Sequence, residues 1–103
     1  MMSRPHYGWW GYVKDIIRRY PSMGGKPLTG TALREYEAVQ AAIEQTERMR
    51  SGHDRLKIIR LVFWECTYTL PGAALQVPCS ERVAQRWHAD FIKDVARNFG
   101  LLD

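Results

Sequence analysis

The chain predicts an all-α protein of about five helices, with a C-terminal helix-turn-helix on a three-helix core and an N-terminal helical extension. Three observations carry this. Apolar residues recur every three or four positions through most of the 103 residues, the signature of helices with one buried face. Proline, glycine and serine punctuate those runs rather than interrupting them at random. The composition, 46% hydrophobic and 12% aromatic, is that of a chain that folds rather than one that stays disordered.

The first helix is predicted over Trp9 to Tyr20. Trp9, Val13, Ile16, Ile17 and Tyr20 share its apolar face, and Lys14, Asp15, Arg18 and Arg19 its polar side. Pro21 is expected to stop it, and 21–28 (Pro-Ser-Met-Gly-Gly-Lys-Pro-Leu) reads as a flexible link. A long helix should run from about Thr31 to Met49, with Ala32, Tyr36, Val39 and Ile43 at helical spacing. Its apolar stripe is narrow, which suits packing on the first helix or on a second copy in a homodimer.

Ser51-Gly52-His53-Asp54 breaks and restarts the chain. Arg55 to Cys66 then reads as a third helix. Leu56, Ile59, Val62, Phe63 and Cys66 form its main face, while Ile58, Leu61 and Trp64 make it apolar nearly all round, so it should be central and support the C-terminal helix pair. Its β-branched residues leave a strand open as the lesser alternative. These boundaries divide the chain into an N-terminal helical region, 1–50, and a helix-turn-helix region, 51–103, within one domain-sized unit.

Residues 69–91 are the most informative. Thr69 can cap a short helix, and Pro71 suits its first turn, where a missing N–H costs little. Ala73 and Ala74 permit close helix approach, and Leu75 and Val77 are expected to face the core. Pro78 should end the helix, and Ser80 should cap the next one. That second helix should run from about Glu81 to Asn98. At roughly 100° per residue, Val83, Ala84, Trp87, Phe91 and Val95 fall on one face, and Arg82, Gln85, Arg86, Ala89 and Lys93 near the opposite one. Such a layout can read DNA in the major groove. Arg presents a fork to guanine and Gln one to adenine, and Ala89 is small enough to let the helix come close. The bland alternative is a solvated charged face; the capped short helix one turn ahead argues against it.

The net charge is +4, with a pI near 9.3, a mild bias toward an anionic partner. The excess is not in the motif. Residues 1–29 carry Arg4, Lys14, Arg18, Arg19 and Lys26 against Asp15, whereas 80–103 balance Arg82, Arg86, Lys93 and Arg97 against Glu81, Asp90, Asp94 and Asp103. Lys14, Arg18 and Arg19 are therefore candidates for sequence-independent phosphate contacts. Trp9, Trp64 and Trp87 lie on apolar stripes and should pack in the core, while Trp10 is open to a partner protein.

Several classes find no support. No apolar run approaches the length of a membrane span, and the N-terminus lacks the apolar core of a secretion signal. Cys66 and Cys79 belong to no paired metal motif, and Cys66 should be a small core residue. With His53 and His88 they match no familiar zinc spacing, so neither a metal nor another cofactor is expected. No phosphate-binding glycine loop, catalytic carboxylate pair or Ser/Cys–His arrangement is visible, which argues against an enzyme. His88 should sit beside the core stripe, as a structural residue or a phosphate contact.

Two stretches carry a family resemblance: Tyr7-Gly-Trp-Trp-Gly-Tyr-Val-Lys-Asp-Ile-Ile-Arg-Arg-Tyr-Pro21 and Ser80-Glu-Arg-Val-Ala-Gln-Arg-Trp-His-Ala-Asp-Phe91. Together they resemble the ArpU/RinA-type late transcriptional regulators of phages and prophages. The second is also similar to the recognition helix of bacterial sigma factor region 4. The resemblance implies a small regulator in the cytoplasm of a bacterial host, activating late phage genes, with Glu81, Arg82, Gln85 and Arg86 facing the bases of double-stranded DNA. The turn departs from the usual pattern at Pro78, where glycine is common. The rival expectation is a protein-interaction module that docks on RNA polymerase or a phage packaging protein.

Overall fold

The structure, a computed structural model, describes residues 8–77 and 79–102. Among them are five α-helices and no strand: α1 (Trp10–Met23), α2 (Gly30–Glu47), α3 (Gly52–Ile59), α4 (Leu70–Gln76) and α5 (Glu81–Phe99). A π-helical turn (Arg60–Trp64) continues directly from α3. The all-α expectation is met, and the strand alternative at Ile58–Val62 is not.

Two apolar cores hold these elements. The larger joins Val13, Ile16 and Ile17 of α1, Ala38, Val39 and Ala42 of α2, Ile59 and Phe63 of the third segment, and Phe91, Ile92, Val95 and Ala96 of α5. The smaller joins Ile58 and Leu61 to Ala73, Ala74 and Val77 of the motif, and to Ala84 and Trp87 of α5. The third segment thus serves both cores, as its apolar character on nearly every side predicts. Of the stripe predicted for α2 only Val39 is fully buried, while Ala32, Tyr36 and Ile43 are half-buried. The buried face of α2, packed within the chain against α1, α3 and α5, also takes Glu35, Ala38, Ala42 and Thr46.

Pro21 does not stop α1. The helix runs on to Met23, which is itself buried. A proline there removes one N–H, the partner of the carbonyl four residues earlier. That carbonyl, Ile17, accepts a hydrogen bond from the Trp64 indole instead, at 2.7 Å. The segment expected to link the first two helices shrinks accordingly, to the residues between Met23 and Gly30.

The third helix starts three residues earlier than predicted, at Gly52, and its last turn is not α-helical. Gly52 is there because nothing larger fits: a Cβ would stand 2.3 Å from the carbonyl oxygen of Thr46. In the π-turn, the Glu65 N–H reaches back five residues to Arg60 O at 2.8 Å, the i→i+5 pattern. Cys66 is not in the core as expected. It is exposed, with a left-handed backbone (φ +54°), because the helix has ended before it. Leu75 likewise faces away from the core, and its 85% exposure contrasts with buried Val77. In a helix of only two turns Ala73 and Ala74 take the inward face, and Leu75, 100° further round, cannot share it.

Candidate nucleic-acid interface

The motif is built locally as its residues dictate. Thr69 Oγ1 accepts from the Gly72 N–H at 3.3 Å, and Ser80 Oγ accepts from the Val83 N–H at 3.1 Å, so both helix starts are capped. Pro71 lies in the first turn of α4. Three small buried residues, Ala73, Ala74 and Ala84, let α4 and α5 approach closely. Between the helices the Cys79 N–H donates to Val77 O at 2.6 Å. Pro78, expected to shape this turn, lies outside the described residues. At the far end Gly100, at φ +101°, closes α5. Its N–H bonds to Ala96 O and Arg97 O, and the Leu101 N–H to Ala96 O at 2.8 Å, a Schellman closure that favours glycine.

Burying Ala84, Trp87, Phe91, Ile92, Val95 and Ala96 turns the opposite side of α5 outward. Ser80, Glu81, Arg82, Gln85 and Arg86 are exposed, while Ala89 and Lys93 are half-buried. Neither Arg82 nor Arg86 makes an ion pair or hydrogen bond with a described residue. Gln85 is different. Its amide donates to Glu81 Oε2 at 3.2 Å, so the two side chains act as one polar unit on the first turns. The exposed stripe thus holds two unengaged guanidinium forks, one turn apart, near the capped end of the helix.

The three candidate phosphate contacts on α1 are not equivalent. Arg19 is engaged: its Nε lies 2.9 Å from Asp15 and its Nη1 3.3 Å from Glu35. Glu35 is only 6% exposed, and it also accepts from the Tyr12 hydroxyl at 2.5 Å, tying α1 to α2. Arg18 is exposed, with its guanidinium carbon 5.9 Å from the Phe63 ring centroid. Lys14 is half-buried on the same side of α1.

His88 lies beside the core stripe, as expected, but its partner was not legible. Its ring stacks on Phe63 with centroids 5.1 Å apart and planes inclined by 2°. Burial, then the charges of Lys14 and Arg18, hold its imidazole down at about 4, so it is neutral at physiological pH. Arg55 was not anticipated either. It lies 5.4 Å over the Trp87 ring and 3.6 Å from Asp90, bracing α5 from the side opposite His88. No sequence spacing reveals that pairing, because the partners lie on different helices. Trp9 and Trp10 are both half-buried against the larger core, 5.9 Å apart, and Trp64 is half-buried against the same core further along α1, 5.8 Å from Tyr20.

Among the described residues no three histidine, cysteine or acidic side chains gather as a metal site, and no helix is long and apolar enough to cross a membrane. No protein-family model, curated protein or solved structure matches this chain.

Proposed function

We propose that this chain is a sequence-specific double-stranded DNA-binding protein that inserts α5 into the major groove and regulates transcription. Its type is that of the phage or prophage late-gene activators, acting in a bacterial cytoplasm. The observation that carries the reading is the pair Arg82 and Arg86. Both are exposed and unengaged by described residues, both lie on the face opposite the buried one, and a capped, alanine-packed helix pair on α3 presents them. Guanidinium forks held this way match the O6 and N7 edge of guanine. The net charge of +4 supplies a general attraction to phosphate. The reading needs no catalytic residue and no cofactor.

Leu75 favours a second reading. An aliphatic side chain 85% exposed on the outward face of α4 suits a protein partner such as RNA polymerase. One experiment separates the two. A randomised duplex library is put through rounds of binding, and the enriched site is titrated at several salt concentrations. The DNA reading expects an enriched sequence and an affinity that falls with salt, with a log–log slope of roughly −0.9 per phosphate contact. No enrichment, and no duplex binding at low salt, overturns it in favour of the interaction module.

A further inference from the structure

Beside the exposed stripe of α5, basic groups from two helices converge. Lys14 and Arg18 are four residues apart on α1 and so project from the same side. The Arg18 guanidinium lies 5.9 Å from the Phe63 ring centroid, and that same ring stacks on His88. Phe63 therefore joins the Arg18 guanidinium to the α5 imidazole, and the Lys14 charge also acts on that imidazole. By its angular position, His88 lies on the flank of α5 between buried Phe91 and exposed Gln85. Its ring nitrogens make no hydrogen bond to a described residue, and neither is sealed from solvent.

We propose that Lys14, Arg18 and His88 form a phosphodiester site that grips the DNA backbone alongside the groove read by α5. The inference rests on the duplex-binding reading above and deepens it. A phosphodiester carries one fixed negative charge and two free oxygens. Lys14 and Arg18 supply the charge, and the neutral imidazole donates its one N–H to an oxygen. Arg19 points elsewhere, toward Asp15 and Glu35. The site and the reader face share α5, so a strand seated on His88 sets the depth and register at which Arg82 and Arg86 meet the bases.

Two measurements test this. In the first, the Lys14→Gln/Arg18→Gln double variant is titrated with enriched and scrambled duplexes over a range of salt. The magnitude of the log–log slope should fall by about 1.8, two contacts' worth, on both duplexes alike, while Lys14→Arg/Arg18→Lys retains it. In the second, the His88 imidazole signals of the unaltered protein are followed by NMR at neutral pH. They should move on addition of duplex and stay still with inorganic phosphate at the same ionic strength. The second measurement decides if the double variant does not fold. A duplex that binds while the slope and the His88 signals stay unchanged overturns the site and leaves the α5 reading intact. An equal response to inorganic phosphate makes this a small-anion site and overturns the backbone assignment. No duplex binding at all overturns both readings.

Discussion

The indole N–H of Trp64 donates to the carbonyl of Ile17 at 2.7 Å, and it does so where Pro21, four residues further along α1, has no N–H to offer. The π-turn ends on Trp64, and without that extra residue the indole would leave the α1 face. Two irregularities that each read as a defect, a proline inside one helix and a widened turn in another, thus satisfy one another.

The pairing predicts a double-mutant cycle. Trp64→Phe leaves a part-buried carbonyl without a donor and should cost about 1–3 kcal/mol beyond the lost ring volume. Pro21→Ala restores the helix N–H, so the same Trp64→Phe change should cost less in that background. Equilibrium urea unfolding of the four proteins measures the coupling; additive costs would refute it.

Trp87 and Leu75 should behave oppositely. Trp87 is 8% exposed, in the smaller core and under Arg55, so Trp87→Ala should destabilise by about 3–5 kcal/mol. Leu75→Ala should stay within about 0.5 kcal/mol of the parent. Thermal or chemical unfolding checks both. A stable Trp87→Ala protein would mean that α5 is turned differently from the arrangement described.

His88 adds an acid sensitivity of defined sign. Its folded value, about 4, lies below the ordinary 6.5, so the native state resists protonation and the unfolded chain does not. The stabilisation is complete above pH 6.5 and is lost as the pH falls from there toward 4. Between pH 6.5 and 5 the loss should be about 2 kcal/mol. His88→Phe, which preserves a ring against Phe63, should flatten that part of the stability profile. An unchanged profile would show that His88 is hydrated in the native protein.

Reading and positioning should separate by variant. Arg86→Ala should cost about 1–3 kcal/mol on the enriched duplex and relax preference at one base pair. Arg18→Gln should weaken enriched and scrambled duplexes alike. Fluorescence anisotropy on both duplexes at several salt concentrations distinguishes them. If Arg86→Ala weakens both equally and Arg18→Gln shifts the preferred sequence, α5 is not the reader.

How much the sequence conveyed depends on the range of the forces involved. The caps at Thr69 and Ser80, the small residues Ala73, Ala74 and Ala84, and the buried and exposed sides of α5 depend on neighbours within a turn or two, and all were legible. Pro21 misled because its penalty is local while its remedy comes from Trp64, 43 positions away by sequence number. Leu75 and Cys66 misled because apolar character was read as burial; a short helix has room inward for only some of its residues, and Cys66 lies past the end of its helix. The Phe63–His88 stack and the Arg55–Asp90 pair join different helices, and only the packed chain brings them together.

The division of the interior into two cores has a dynamic consequence. The second half of α5, from Phe91 to Ala96, is rooted in the larger core, whereas its first turns and α4 share the smaller one, in which three of the seven buried residues are alanine. Opening the motif uncovers the smaller core alone, so it needs less free energy than global unfolding. Amide exchange should therefore proceed through local opening in α4 and near Ala84, and only through complete unfolding around Val95. The helix is anchored at one end and adjustable at the other, and the adjustable end carries Arg82 and Arg86.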